Sequence, residues 1–229
     1  MKLFKSHCFI RPVFFCMSAL ILSPEAIGQS EQRWTVTPYV GASLLNDRTA
    51  NITALNIGGN DFPAGSLDIQ TDSGFYAGLG LGYTFDNQVV AELAWEYRTN
   101  DSETVLPDSA TVYGGNLASS IFYANLYYPV IQNQDWTLYT GAGLGWVQEI
   151  DLDVEQSSSE QSYAGDGDIS YQLLLKFQYT LTSNLDFSAH ARWSSLDSVT
   201  LEGEGAAVGT IENLDYNPAS FGIGLTYRF

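Results

Sequence analysis

The sequence is dominated by short segments in which apolar and polar residues alternate one by one. Eight such segments occur along the 229 residues, each about 9 to 12 residues long: 34–44, 74–85, 88–98, 118–128, 136–147, 170–181, 185–195 and the terminal stretch 221–229. A period of two places successive side chains on opposite faces of a β-strand. The segments lack a helical period, and their glycine, β-branched and aromatic content favours strands. The sequence therefore predicts an all-β fold.

The connections between these segments alternate in length. The long connections are 45–73, 99–117, 148–169 and 196–218, and the short ones are 86–87, 129–135 and 182–184. This alternation is typical of outer-membrane barrels, which have long extracellular loops and short periplasmic turns. A tilted transmembrane strand needs roughly 9–11 residues, which matches the segments. We therefore expect an eight-stranded antiparallel up-and-down transmembrane β-barrel with both termini in the periplasm.

The amino-terminal region has the composition of a cleavable signal peptide. A basic start precedes the apolar core VFFCMSALIL at 13–22, and Ala26 and Gly28 suit positions −3 and −1 of a cleavage site. The apolar core is too short to cross a membrane as a helix, which argues against an anchor that stays attached. We expect residues 1–28 to be removed and residues 29–229 to form the barrel domain.

Composition excludes several classes of protein. Both cysteines, Cys8 and Cys16, lie in the predicted signal peptide, so no disulfide framework is expected. The chain has 26 acidic and 9 basic residues, for a formal net charge of −17, which excludes a basic nucleic-acid-binding surface. No stretch after residue 30 has the length and hydropathy of a transmembrane helix, so a membrane role must come from strands.

The charged residues of the segments fall on one face. In the third segment Leu93 and Trp95 alternate with Glu92, Glu96 and Arg98, and the sixth and seventh segments repeat the pattern. The polar face is also rich in glycine, which suits the crowded interior of an eight-stranded barrel and suits a solvent-facing strand poorly. We therefore expect the apolar face to contact lipid. The alternative is a soluble barrel of the lipocalin type, with its apolar face inside.

Four features together resemble the small outer-membrane β-barrel superfamily, which includes outer membrane protein A-like barrels and opacity-type surface proteins. They are the signal peptide, ASSIFYANLYY at 118–128, WTLYTGAGLGW at 136–146 and GIGLTYRF at 222–229. In that superfamily a carboxy-terminal aromatic residue resembles the signal read by the barrel-assembly machinery, and Gly224, Tyr227 and Phe229 match it. The resemblance also implies contact with outer-membrane lipids and lipopolysaccharide. Because the sequence stops at the barrel, no peptidoglycan-binding domain is expected.

The inward polar positions predict a lumenal charge network. Its members are Glu92, Glu96, Arg98, Lys176, His190 and Arg192. An eight-stranded barrel is just wide enough to be filled by side chains, and buried charges must be paired. Our hypothesis is that Glu92 and Glu96 join Arg192 and Lys176. Such a network acts as a structural plug, which we favour, or as the gate of a narrow pore.

A catalytic site is not expected. His190 is the only histidine after the predicted signal peptide, with Ser188 and Asp186 on the same strand face. Residues two apart on a strand point in parallel and do not by themselves form a nucleophile–base contact. The known lipid deacylase of this superfamily has its His-x-Ser pair on the lipid face, whereas His190 should face the lumen. We expect no catalytic residue, no cofactor and no metal site.

The predicted loops are acidic. Residues 151–168 contain no basic residue, and DGD at 166–168 offers carboxylate oxygens without the pattern of an EF-hand. We expect solvated, flexible loops that provide the contact with any surface ligand. The sequence therefore predicts a monomeric, non-catalytic outer-membrane protein with a structural or surface-interaction role. A narrow channel for small solutes is the alternative, and a lipid-modifying enzyme lacks its motif.

Overall fold

The structure is a computed structural model, and it describes residues 33–57, 60–156 and 159–229. The predicted signal peptide, residues 1–28, lies outside these ranges. Within them no helix is long and apolar enough to cross a membrane. The strands of the described residues are β1 Trp34–Leu44, β2 Arg48–Ile52, β3 Leu55–Ile57, β4 Asn60–Phe62, β5 Gly65–Thr71, β6 Gly74–Thr84, β7 Val90–Val105, β8 Val112–Gln132, β9 Trp136–Gln156, β10 Ser159–Gly165, β11 Ile169–Thr180, β12 Leu185–Gly203, β13 Thr210–Tyr216 and β14 Ala219–Arg228.

Eight of the described strands form a closed antiparallel ring, which we call the lower barrel. Its order is β1–β6–β7–β8–β9–β11–β12–β14, and β14 returns to β1. The closing pair aligns Val36 with Tyr227 and Leu44 with Ala219. A closed ring leaves no strand edge, which strands in lipid require because lipid offers their backbone no hydrogen bonds. The predicted eight-stranded antiparallel barrel is confirmed.

Large apolar side chains cover the outside of the lower barrel. Exposed examples from different strands are Trp34, Leu79, Leu93, Leu126, Leu144, Leu173, Trp193 and Ile223. The polar positions of the same strands point inward, as the alternation predicts, and Glu92, Glu96, Lys176 and Arg192 are all buried. An exposed apolar surface of this extent fits lipid and not water. The interior of the lower barrel is called the lumen below.

The prediction of four long loops is wrong, because most of their residues belong to a second closed ring, the upper barrel. Strands β7, β8, β9 and β12 extend past the lipid-facing band. Among the described residues, they pair with the short strands in the order β7–β8–β9–β10–β12–β13–β2–β5, and β5 returns to β7. The predicted third and seventh segments end at residues 98 and 195, whereas β7 continues to Val105 and β12 to Gly203.

The upper barrel encloses a hydrophobic core. Its fully buried residues include Ile57, Leu67, Ile69, Leu117, Ile150, Leu152, Val199, Leu201, Ile211 and Leu214. The outward positions between them are mostly polar, and many are acidic. The two barrels therefore have opposite polarity: the lower one is apolar outside and the upper one is apolar inside. Burial of this many aliphatic side chains explains why the predicted loops are ordered strands, since each buried side chain contributes about 1.5–3 kcal/mol.

A β-bulge in β9 lies where the strand passes from the lower barrel, which is apolar outside, to the upper barrel, which is apolar inside. Ile121 of β8 pairs with Val147, but the preceding Ser120 pairs with Glu149, so Gln148 is an extra residue. Before the bulge, the odd-numbered residues of β9, such as Val147, point inward. After the bulge, the even-numbered residues, such as Ile150, point inward. One inserted residue therefore moves the following side chains to the opposite face. Strand β12 has a comparable irregularity between Leu196 and Val199, where Ser198 has a positive φ of 57°.

The packed upper barrel generates a stability prediction. Leu152→Ala removes a fully buried side chain from the upper core, and we expect it to lower the free energy of unfolding by about 2–5 kcal/mol. Glu155→Ala, on the exposed face of the same strand, should change it by less than about 0.5 kcal/mol. Denaturant titration of the protein in liposomes, followed by tryptophan fluorescence, measures both. Equal effects of the two variants would contradict a packed upper core.

Candidate functional site: the lumen and the acidic wall

The carboxylate of Glu96 lies between two arginines in the middle of the lumen. Arg98 donates to Glu96 Oε2 at 2.6 Å, and Arg192 donates to Glu96 Oε1. The side chains of Glu96 and Arg98 are each 1% exposed. Tyr39 also donates to Glu96 Oε1 at 3.0 Å, and the Arg192 guanidinium lies 4.2 Å from the centre of the Tyr39 ring. The arginine and tyrosine side chains thus fill the lumen around one carboxylate.

Glu92 and Lys176 occupy a neighbouring layer, and their contacts differ from our hypothesis. Glu92 accepts hydrogen bonds from Asn125 at 3.0 Å and Tyr127 at 3.1 Å. Lys176 lies over the Tyr127 ring, with 5.5 Å between its Nζ atom and the ring centre. Among the described residues no ion pair within 4.0 Å joins Glu92 to Lys176. The Glu96–Arg192 contact that we expected is present, and Arg98 completes it.

His190 lies in the lumen on β12, opposite Lys176 of β11. Its ring packs edge-on against Tyr39, with 5.4 Å between ring centres. Neither ring nitrogen makes a hydrogen bond to a side chain among the described residues, and the same holds for Ser188 Oγ. The serine and the histidine therefore do not form a hydrogen-bonded pair of the kind that activates a nucleophile.

Sequence reasoning missed an ion pair at the lower mouth of the lumen. Arg228 of β14 donates to Asp186 of β12, and Gln178 donates to the other oxygen of Asp186 at 2.7 Å. Asp186 is fully buried. It has the same parity as His190, so the alternation pattern already placed it inside. Arg228 was not identified from the sequence as its partner, because the interpretation of the terminal segment rested on the aromatic residues.

The lumen is closed at two levels. The cluster of Glu96, Arg98 and Arg192 fills its middle. Above the cluster, Ser43 donates to Asn100 at 2.9 Å and Ser119 shares a hydrogen bond of 2.9 Å with Tyr216. The hydrophobic core of the upper barrel begins directly above these pairs. A hydrated ion crossing the protein would have to break the charge cluster and then enter an apolar core, and both steps cost free energy.

Two residues of the predicted assembly signal, Gly224 and Tyr227, lie in β14, and Phe229 follows directly after it. Gly224 faces the lumen, whereas Tyr227 and Phe229 are about half exposed on the lipid side. Their rings stack with 6.4 Å between centres. The Phe229 amide donates to the Trp34 carbonyl at 2.9 Å, which ties the terminus to the first strand. Recognition of these residues by the assembly machinery stays a prediction.

Acidic side chains form a continuous patch on the outside of the upper barrel, which we call the acidic wall. Its members are Asp101, Glu103, Asp151, Asp153, Glu155, Glu160 and Glu202. Glu155 and Glu160 are direct cross-strand partners, an arrangement of like charges that destabilises a sheet. Arg48 is the one Lys or Arg of the upper barrel among the described residues. The wall therefore has a strong negative potential.

Asp151 is the most perturbed carboxyl of the wall. Burial, together with the nearby negative charges of Asp153, Glu149 and Glu204, raises its pKa to about 6. Its neighbour Asp153 is compensated by neutral donors, since Asn116 donates to it at 3.1 Å and Ser162 at 2.5 Å. Across residues 33–57, 60–156 and 159–229, no group of three or more His, Cys, Asp or Glu side chains is placed to hold a metal ion. The wall is thus a diffuse negative surface.

Comparison with known proteins agrees with this architecture. The crystal structure of the outer membrane protein OprG from Pseudomonas aeruginosa matches with a TM-score of 0.59 and 16% identity, over 88% of this chain and 98% of OprG. Neisserial surface protein A matches with a TM-score of 0.49 and 14% identity, over 86% of this chain and 97% of the other. The outer membrane protein AlkL matches with a TM-score of 0.49 and 14% identity, over 90% and 94%. At 16% identity, the likeness to OprG shows the fold alone.

A family model provides the sequence-level counterpart. No curated protein matches the sequence. The model of the outer membrane protein beta-barrel domain matches residues 13–229, which is most of the chain. Its extent includes every strand of the lower and upper barrels. The protein therefore belongs to the outer membrane protein beta-barrel domain family.

Proposed function

We propose that the protein is a non-conducting, non-catalytic outer-membrane barrel with a structural and surface-interaction role. The filling of the lumen carries this proposal: among the described residues, the buried Glu96 cluster occupies its middle and the hydrophobic core of the upper barrel lies above the cluster. The lower barrel contacts outer-membrane lipids and lipopolysaccharide and anchors the chain as a monomer. The barrel-assembly machinery inserts it after removal of residues 1–28.

The proposed orientation places the upper barrel outside the cell. Its strands replace the long connections, and long connections of outer-membrane barrels are extracellular. The turns at the other end, including Asp86–Asn87, then face the periplasm together with both termini. The acidic wall becomes the exposed surface, carried on a packed core. A packed sheet presents fixed charges to a surface ligand at a lower entropic cost than flexible loops would.

The proposal predicts that the protein does not conduct ions in planar bilayers. Protein extracted from outer membranes, with its fold checked by a heat-dependent gel shift, should produce no reproducible conductance steps. A porin that conducts, inserted into the same membranes, shows that the assay detects channels. Steady conductance steps from the folded protein would overturn the proposal and favour the narrow channel.

Loss of the central carboxylate should destabilise the barrel. Glu96→Gln leaves two buried arginines without their anionic partner, and we expect a loss of about 3–5 kcal/mol in the free energy of unfolding. Glu103→Gln, an exposed change on the same strand, should alter it by less than about 0.5 kcal/mol. Denaturant titration in liposomes measures both. Unchanged stability of Glu96→Gln would show that the cluster does not hold the lumen closed.

The raised pKa of Asp151 predicts a pH dependence. A carboxyl whose folded pKa is about 6 binds a proton more tightly in the folded state than in the unfolded state. Stability should therefore fall as the pH rises from about 4 to about 6, and remain lower at neutral pH. Asp151→Asn should raise the unfolding midpoint at pH 7.5 and have little effect at pH 4, whereas Glu103→Gln should lack this pH-dependent gain. An equal effect of Asp151→Asn at both pH values would contradict the assignment.

A further inference from the structure

Two apolar hollows lie side by side on the lipid-facing surface of β6, β7, β8 and β9. Their volumes are about 750 and 680 Å³. Both are lined by Leu81, Leu93, Ala124 and Leu144, so they form one continuous depression, which we call the Ala124 groove. Binding sites for small molecules measure roughly 300–1,000 Å³, so each hollow has the capacity of a ligand site.

The groove exists because Ala124 is a small residue among large ones. The outward neighbours of Ala124 on β8 are Phe122 and Leu126, and both are exposed. Across the sheet, Ala124 pairs with Leu93 of β7 and Leu144 of β9. Four large side chains therefore surround one methyl group and leave a hollow between them.

The position of the groove within the lipid-facing band indicates that its occupant is a hydrocarbon chain. Lipid tails are as apolar as leucine, so selective binding of one chain depends on van der Waals contact. A hollow with walls on several sides offers more of this contact than a smooth surface does. Trp95 and Trp146 border the groove on the side of the upper barrel, and tryptophan is typical of the boundary between membrane and water. The headgroup of a lipid in the groove would therefore lie at this end.

Neutral hydrogen-bonding groups lie next to this end of the groove. Trp95 Nε1 donates to Ser120 Oγ at 2.9 Å, and Ser120 Oγ donates to Gln148 Oε1 at 3.2 Å. Gln148 is the exposed extra residue of the bulge. Because its carboxamide oxygen accepts from Ser120, its carboxamide nitrogen is available to donate to a ligand. Phosphate and ester oxygens of a lipid headgroup are acceptors of this kind.

The charge above these groups is negative. Ser120 pairs with Glu149, and the next outward residues of β9 are Asp151 and Asp153. Strands β8 and β9 contain no Lys or Arg, and the basic residue of β7, Arg98, is buried in the lumen. An anionic headgroup would be repelled at this end of the groove, whereas an ammonium group would be attracted.

We propose that the Ala124 groove binds a phospholipid whose headgroup carries an ammonium group, of the phosphatidylethanolamine class. One acyl chain lies over Ala124 between Leu93 and Leu144, the phosphate accepts from Gln148, and the ammonium group lies beside Glu149. The site is on the outside of the lower barrel. It therefore depends neither on the filling of the lumen nor on the orientation of the protein in the membrane, and it goes beyond the role proposed above.

Competition between two lipids tests the headgroup. Protein extracted from outer membranes, with its fold checked by the heat-dependent gel shift, is mixed at low ionic strength with equal amounts of phosphatidylethanolamine and phosphatidylglycerol that have identical acyl chains. Native mass spectrometry measures the lipid that the protein retains. We expect a preference of about twofold to fivefold for phosphatidylethanolamine, the effect of one exposed charge pair. Equal retention of the two lipids would overturn the proposal.

A pair of acidic variants locates the headgroup. Glu149→Gln removes the carboxylate nearest the groove and should bring the retention of the two lipids close to equality. Glu103→Gln, an exposed change on β7 further from the groove, should keep the wild-type preference. The same preference in both variants would place the headgroup elsewhere and overturn the site.

A pair of alanine variants locates the acyl chain. Ala124→Trp fills the groove with a side chain suited to lipid, and we expect it to lose most of the retained phosphatidylethanolamine. Ala189→Trp makes the same change at a lipid-facing position of β12, between Phe177 and Ile223, and should retain the wild-type amount. Equal retention by the two variants would contradict binding in the groove.

Crosslinking gives a readout that needs no variant. The wild-type protein is placed in nanodiscs that contain phosphatidylethanolamine with a photoreactive group in its acyl chain. After irradiation, we expect most of the label on peptides from β7, β8 and β9. Label spread evenly around the lower barrel would indicate bulk lipid only and would overturn the proposal, even if Ala124→Trp failed to fold.

Discussion

The pairing of β14 with β1 is the constraint on which the rest of the structure depends. In lipid, every backbone amide and carbonyl must find its partner within the protein, so the sheet must have no edge. Once the ring is closed, each residue of the lower barrel faces either lipid or lumen, with no third environment. This division puts leucine and tryptophan outside, and it forces every charged strand residue into a space where charges must satisfy one another.

The upper barrel obeys the same geometry in a different solvent. Its strands leave the lipid-facing band, and their outer face must then be polar because it meets water. Aliphatic side chains such as Leu152 and Leu201 turn inward and build a core, while the acidic residues turn outward. The same continuous strands thus present an apolar outer face to lipid in the lower barrel and a polar outer face to water in the upper barrel. The hydrophobic core fills the inside of the upper part, and the charge cluster fills the middle of the lower part.

The sequence predicted the lower barrel well, because one period-two pattern with one polarity covers all eight segments. It also placed Glu96 and Arg192 correctly inside. It failed in the upper barrel, where Ile150, Leu152 and Val154 alternate just as clearly but in the opposite sense after Gln148. Acidic residues between them favoured a loop interpretation. The pairing of Glu92 was missed for another reason: parity shows which residues face inward, but not which neighbour across the lumen each one reaches.

The bulge at Gln148 acts like a frameshift within a folded strand. Removing that one residue would leave the composition of β9 almost unchanged. It would, however, move every following side chain of the strand to the opposite face of the sheet. Aspartates would then face the apolar core, and Ile150 and Leu152 would face water. Length variation among relatives of this protein should therefore concentrate in the turns and at the tips of the strands. At this position in the barrel wall, the number of residues matters more than their identity.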